Sequence, residues 1–535
     1  MRLAGVYAVF GQQSWIILLG QTLSEAFVAF LIYEIAKMSF KAAAKPTLGV
    51  SVGALAAVGY AFFLPAQAYS SVLMPSCLHV AALWAVVWWC MRERKQIITT
   101  RETILLGVGT GLIATLVASI LSVIPLVLVR LSRQKSGRWQ NILIYSIGII
   151  VGCSPVLYHN RVVANDAWVL TAHSGLNFFI GNNPESTGYL VIPPGLRANQ
   201  AQMLTDSIAV AEKAIGRGPL PRSEVSQWWS DRAKTFIREN PIAWLRLLGQ
   251  KVINFFNAYE YDDLSIIEDL REAGILTPGL RFGIISALGL AGLVVSVGKG
   301  FRQSRWVIAG LAIQIASVLT VFVTERYRLA AVPGLLIFAA YFLGSTVQGL
   351  LAKDWKRLLV HMILVAATLG FVHLPVPNDA AEASSNYNRG LRQLKQNRFI
   401  EAEKLLLEAW KYAPENENTN FALGNLYFKL GKNEDAKKYY RATLQSNPES
   451  VGAWNNLAQV ALGQSMPATA IQFLEKSLAL EPNQVRGLFL LAKAWLQNGS
   501  PEKAAEFLIK AKALDPRNEE LLFLEKEIEA AEAAR

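Results

Sequence analysis

Charge is what this 535-residue sequence has little of. Asp, Glu, Lys and Arg make up 17% of it, against about a quarter in an ordinary soluble protein, while 53% is hydrophobic and the mean hydropathy is +0.29. A water-soluble fold cannot hide that much apolar surface, so a large part of the chain is expected in lipid. Cysteine is scarce too: Cys77, Cys90 and Cys153 lie within or beside apolar runs at no metal-ligand spacing, which excludes a disulfide scaffold and a zinc framework. The five histidines are scattered without an H-E-x-x-H pattern, and no G-x-x-x-x-G-K-[ST] or strand-borne G-x-G-x-x-G occurs. A nucleotide cofactor is therefore not expected; a divalent metal is left open. Of the net charge of +12, residues 383–535 carry +1 and the rest of the chain +11. A basic excess flanking apolar segments marks cytoplasmic membrane loops rather than a nucleic-acid surface, and no nucleic-acid partner is expected.

Apolar runs of near-spanning length fall at 14–36, 47–65, 73–91, 104–129, 141–155, 282–297, 307–323, 329–343 and 358–374, and about 20 residues cross the hydrocarbon core. Five basic clusters orient them: Lys37, Lys41 and Lys45; Arg92, Arg94 and Lys95; Arg130, Arg133, Lys135 and Arg138; Lys299, Arg302 and Arg305; Lys353, Lys356 and Arg357. If all five are cytoplasmic, the run 104–129 must cross an even number of times. It then forms two short legs turning near Ala118–Ser122, with the turn buried in protein or lining a cavity; one unbroken helix is the alternative. The same parity puts residues 156–281, the chain after Pro375, and Met1 outside. No basic n-region with an apolar core precedes Ser14. A further spanning helix and a first outer loop are therefore expected ahead of Met1, the alternative being an N-terminus translocated without a signal.

The outer segment opens with Pro155-Val-Leu-Tyr-His-Asn160-Arg161, passes Asp166-Ala-Trp168 and reaches Ser174-Gly175-Leu-Asn177-Phe-Phe-Ile-Gly181-Asn182-Asn183-Pro184-Glu185-Ser-Thr-Gly188. Gly and Asn at this density predict tight turns and close backbone approaches. Such a loop suits a polyhydroxylated or phosphorylated ligand, and equally a ligand-free connector. The arrangement P-x4-N-R followed by G-x-N-x3-G-N-N-P-x3-G, with Glu325-Arg326-Tyr327-Arg328 and Pro333 opening a later membrane helix, resembles the bacterial GT-C glycosyltransferases of the dolichyl-phosphate-mannose-protein mannosyltransferase type, the glycosyltransferase 39/83 group. Phe10-Gly11, Asn240-Pro241 and Lys251 fall in step with it, so the likeness extends to about residue 375. The resemblance implies an enzyme that takes a sugar from a polyprenyl-phosphate carrier on the outer face and gives it to a lipid, glycan or protein. It also implies a catalytic carboxylate in the first outer loop, the loop that parity places before Met1, so no catalytic residue is assigned within the chain.

Chemistry assigns roles to several residues. Arg326 and Arg328 stand where a carrier phosphate would lie, since a guanidinium fork matches phosphate oxygens; snorkelling to the interface is the other reading. Glu325 neutralises an arginine. Asn160 and Arg161 would hold the opposite side of the cavity, with Asn177, Asn182 and Asn183 near the sugar or simply forming turns. Glu25, inside an apolar run, is either functional or an interhelical hydrogen-bonding group. Between Trp228 and Phe256, aromatic and cationic residues alternate at three- and four-residue spacing, predicting an amphipathic helix pair broken at Pro241 that lies in the headgroup region.

After a linker at 379–385, prolines recur at 414, 448, 482 and 516, a period of 34 residues that is the tetratricopeptide period. Four helix pairs and a closing helix at Asn518–Ala533 are expected over 386–535, forming an α-solenoid with a groove for a protein or peptide. The whole is read as all-α: a polytopic membrane domain over 1–378 with its outer loop region at 156–281, then the repeats. The implied setting is the bacterial inner membrane, with outer loop and repeats on the outer side. Two other functions fit the same features. One is an O-antigen ligase or polymerase-like enzyme, for which His159 and His173 would be candidates. The other is a non-catalytic, membrane-anchored scaffold.

Overall fold

The computed structural model describes residues 13–40, 47–92, 98–134, 136–171, 173–193, 195–196, 200–264, 266–275, 279–300 and 303–533. Of the residues invoked above, Met1, Phe10, Gly11, Lys41, Lys45, Arg94, Lys95, Lys135 and Arg302 lie outside them. The chain divides into two compact units that meet in sequence at Ala381 and Glu382. Both are helical, and among the described residues extended backbone pairs only in two isolated bridges, Phe63 with Leu280 and Tyr189 with Val323.

In the first unit four helices are long and apolar enough to cross a membrane, Ser14–Ser39, Arg138–Val163, Glu325–Leu351 and Trp355–Val372, and five shorter apolar helices accompany them. Helix Ser14–Ser39 shows one way such a helix is used. Val28, Leu31, Ile32 and Ile35 fall three and four residues apart and are buried, while Leu19, Leu23, Phe27 and Phe30 are exposed on the other side. An apolar stripe on both faces is what a helix needs when one side meets protein and the other meets lipid. Residues 332–342 are buried all round, which makes that helix the centre of the unit.

The run 104–129 is broken near the expected turn. Helix Thr100–Ala114 ends in a turn, a 3₁₀ segment follows over Ala118–Val123, and helix Ile124–Ser132 restarts with Pro125 in its first turn, where a missing N–H costs nothing. Thr100–Ala114 packs on Arg138–Tyr158 through glycines on both sides. A Cβ on Gly111 would lie 2.3 Å from the Ile149 carbonyl oxygen, and one on Gly152 2.4 Å from that of Val108. The backbones touch because no side chain intervenes.

One boundary differs from expectation. Pro155 does not open an outer loop; it lies inside helix Arg138–Tyr158, which continues into a single π-turn over His159–Val163. The missing proline N–H loosens the ladder there, so Asn160 and Arg161 ride on a helix end. Beyond it, helices Ser174–Gly181, Gln200–Ile215 and Arg222–Glu239 build a satellite core around Ile180, Ala211, Trp229 and Ala233, while Pro241–Phe256 packs Phe255 into the main core. The helix pair is interrupted at Asn240-Pro241, as its sequence predicts.

The second unit holds helix pairs at a 34-residue spacing. Ala402, Ala436, Ala470 and Ala504 are all fully buried where paired helices cross, and the four prolines each fall two residues past a helix end. Glu519–Ala533 closes the series. Residues 379–385, expected as a linker, are helical within Asp379–Lys395.

Candidate functional site

A cavity of about 1190 Å³ opens in the first unit. Its walls come from the start of helix Ser76–Met91, the broken corner at 114–119, the π-turn, the 164–177 segment, residues 219–222, helix Ser304–Leu319 and the Arg326–Ala330 turn. The broken corner therefore lines a cavity. Val80, Leu116, Val117, Val156, Leu170 and Val318 supply an apolar wall; His79, Asn160, Asn177, Gln314 and Arg326 supply polar groups. Arg222 and Asp166 line it as well. Burial, then the Arg222 charge, holds His173 below the usual imidazole range.

The eight predicted site residues separate into two sets. Asn160, Asn177 and Arg326 line this cavity together. Asn160 is anchored by donating to the Val169 carbonyl at 2.7 Å. Arg326 is steadied by Asp263 at 2.7 Å and stacks on the Tyr327 ring at 4.9 Å, while its Nε–H has no acceptor. Arg161 faces a neighbouring pocket of about 570 Å³ lined also by Glu224, Trp228 and Asp231; the two cavities share Asn165, Asp166 and Pro221. Asp166 is held at that shared wall. Its partial burial is outweighed by hydrogen bonds from Ser223 and the Ala167 and Ser223 backbone N–H groups, which keep its carboxyl below the usual range.

The remaining four line neither of these cavities. Arg328 is buried, ion-paired with Glu325, and donates to the carbonyls of Asn257 at 2.8 Å and Tyr259 at 2.9 Å while lying 4.0 Å over the Phe282 ring. It satisfies carbonyls at and beyond the end of helix Pro241–Phe256, a need every helix C-terminus has. Asn182 joins three segments: its amide donates to the Phe178 and Thr320 carbonyls, and its oxygen accepts from Trp244 Nε1 at 3.1 Å and Lys251 Nζ at 3.2 Å. Burial pushes the Lys251 amine down to about 7. Asn183 accepts from the Glu185 N–H at 2.8 Å, closing an Asx turn.

Two of the motif's three glycines, Gly175 and Gly181, are helical rather than turn-forming. A Cβ on Gly175 would fall 1.6 Å from the Ser226 carbonyl oxygen, and one on Gly181 2.0 Å from that of Val321; of the three, only Gly188 takes a positive φ. Two cavity residues, His79 and Gln314, were not singled out in the sequence. The signal was present, since both are polar residues inside apolar runs, the ground on which Glu25 was singled out. Glu25 itself accepts from the Tyr60 hydroxyl at 2.5 Å across to the next helix.

In the second unit a polar ladder runs across successive repeats. Asn425 Oδ1 accepts from Tyr440 and from Asn456 Nδ2 at 2.8 Å, and Arg486 donates to Gln459 at 2.7 Å.

Family models described as tetratricopeptide repeat match residues 421–484 and 461–528. Among solved structures, the chain is similar to YrrB, described as a tetratricopeptide-repeat protein with an unusual peptide-binding site, at 17% identity over 35% of this chain and 91% of that one, with a TM-score of 0.26. It is similar to MamA from Desulfovibrio magneticus RS-1 at 24% identity over 29% and 89%, TM-score 0.26, and to the Arabidopsis OM64 repeat domain at 19% over 21% and 94%, TM-score 0.21. Comparison with curated proteins gives no match. The C-terminal unit is thus a tetratricopeptide-repeat array, and such repeats support a protein or peptide partner.

Proposed function

We propose that the chain is a bacterial inner-membrane glycosyltransferase of the GT-C type, taking a sugar from a polyprenyl-phosphate carrier at its outer face while its repeats hold an acceptor or accessory protein. The cavity carries this reading. A lipid-linked glycosyl phosphate needs an apolar wall for its isoprene units, a cation for its phosphate and polar groups for its hydroxyls, and the cavity offers all three at a volume above the usual range of about 300–1,000 Å³. The donor phosphate belongs at Arg326 alone, since Arg328 is committed elsewhere. The test is transfer from radiolabelled polyprenyl-phosphate hexoses by the purified full chain in lipid. Label appearing in a lipid, glycan or protein acceptor, and reduced in Arg326→Lys, which keeps the charge beside Asp263, supports it.

A second reading has its own observation. Among the described residues Asp166 is the one carboxylate lining the cavity, and both its oxygens are engaged. A membrane-anchored scaffold, binding lipid without turnover and recruiting partners through the repeats, needs no free base. Saturable binding of the carrier with no transfer in any fraction would favour it.

A further inference from the structure

We infer that the repeat unit takes an acidic, extended protein segment across the first helices of its second, third and fourth repeats. This names the chemistry of the protein that the repeats hold, and it stands independently of whether the membrane unit transfers a sugar. Helices Glu417–Lys429, Val451–Gly463 and Val485–Gln497 open three successive repeats. The last two pack on each other, and Glu519–Ala533 packs on the last in turn. The first helices thus form a layer of the kind that repeat arrays use as a binding face. The polar ladder lies on this layer: Asn456 donates to Asn425 Oδ1 at 2.8 Å, and Arg486 donates to Asn456 Oδ1 at 3.4 Å and to Gln459 Oε1 at 2.7 Å. It is open to a ligand, since Arg486 is exposed and Asn425, Asn456 and Gln459 are half-buried.

Charge in these repeats is segregated by helix. Val451–Gly463 and Val485–Gln497 contain no acidic residue, and Glu417, at the start of Glu417–Lys429, accepts from Asn447 at 2.8 Å. The second helices Asn433–Ser446, Pro467–Leu480 and Pro501–Leu514 carry Glu434, Asp435, Glu475, Glu502 and Glu506 instead. There Lys437, Lys510 and Lys512 are ion-paired. On the first helices Lys429, Arg486 and Lys493 are exposed with no carboxylate partner among the described residues. The closing helix is acidic, yet none of its carboxylates pairs with Arg486 or Lys493. Uncompensated cations beside neutral amides favour an anionic partner. A peptide fits best, because its carboxylates meet Arg486 and Lys493, its backbone offers partners to the three amides, and its apolar groups reach the half-buried rings of Phe421 and Phe489, four and three residues from Asn425 and Arg486. A nucleic acid fits poorly, since a phosphate backbone is held by many cations along its length and these three helices hold three.

The experiment measures binding of two fluorescent probes to the full chain in nanodiscs of zwitterionic lipid: a peptide of alternating glutamate and serine, and its glutamine–serine counterpart. At low salt, where exposed charges are least screened, the wild type should hold the glutamate peptide about tenfold tighter. Arg486→Gln and Lys493→Gln should each weaken that peptide about three- to fivefold and leave the glutamine peptide unchanged. Lys438→Gln, on the second helix Asn433–Ser446, should do neither. Asn425→Asp keeps the acceptor for Tyr440 and Asn456 and puts a carboxylate on the layer, so it should abolish the preference. Monodisperse elution and an unchanged melting temperature check folding. Equal binding of the two peptides by the wild type, a preference undiminished in both Arg486→Gln and Lys493→Gln, or tighter binding of a single-stranded oligonucleotide of the same net charge overturns this inference and leaves the transferase reading standing. A chain that binds the glutamate peptide as expected but transfers no sugar overturns the transferase reading and leaves this inference standing.

Discussion

Two arginines two residues apart have opposite fates, and only the fold separates them. Arg326 and Arg328 share the short helix Glu325–Arg328, yet one lines the cavity and the other is sealed among backbone carbonyls. Sequence alone presents both as phosphate ligands, because an arginine holding carbonyls and one awaiting an anion are spelled identically. Arg328→Met should therefore cost on the order of 3–5 kcal/mol, as a buried Glu325 would be left unpaired. Arg326→Lys should leave the melting temperature nearly unchanged and weaken carrier binding. Thermal melts beside a lipid-binding assay separate the two. Lys251 makes a pH prediction. Its folded pKa, about 7, lies below the ordinary 10.5, so the unfolded chain binds more protons between those values. Stability should then rise with pH through that window, on the order of 1 kcal/mol per pH unit, and be flat in this contribution below it. Melting temperatures at pH 7.5 and 9.5 should differ in the wild type and converge in Lys251→Met.

At the scale of elements, the apolar helices and the break within 104–129 were legible, because hydrophobic length and the sign of flanking charge can be read along the chain without knowing any tertiary contact. What packs on what was less so. Gly107 and Gly111 face Gly148 and Gly152, a G-x3-G spacing present in both runs, but a period of four glycines does not name its partner helix. The motif around Gly175 and Gly181 was legible in part: the expected close backbone approaches are present, while both glycines are helical rather than turn-forming. Its glycines are there for close backbone contact, which in sequence looks the same as a ligand-binding turn. Gly111→Ala should destabilise the first unit, since the added carbon meets the Ile149 carbonyl at 2.3 Å. Gly109→Ala, on the same helix with nothing within 4 Å of the new carbon, should be neutral or stabilising by up to about 1 kcal/mol. A denaturation series on the two variants checks the contrast.

For the whole molecule, the repeat unit was the easiest part to read and the cavity the hardest, for the same reason. Each helix pair contacts mainly its neighbours, so the pattern that folds it recurs in sequence every 34 residues, down to the four buried alanines at 402, 436, 470 and 504. The cavity instead gathers residues from 74 to 330, and no local spacing encodes such a meeting. Its long-range consequence is topological. A carrier sugar presented outside requires the 156–281 segment outside, and the basic clusters at 130–138 and 353–357 inside. Each added positive charge in those short loops resists translocation. Alkaline-phosphatase fusions after Gly195 and after Ser385 should therefore both be active, and one after Arg138 inactive. An active fusion after Arg138 would mean that the broken corner faces the other side, away from any lipid-linked donor on the outer leaflet. The polar lining of the cavity would then have to serve a cytoplasmic ligand.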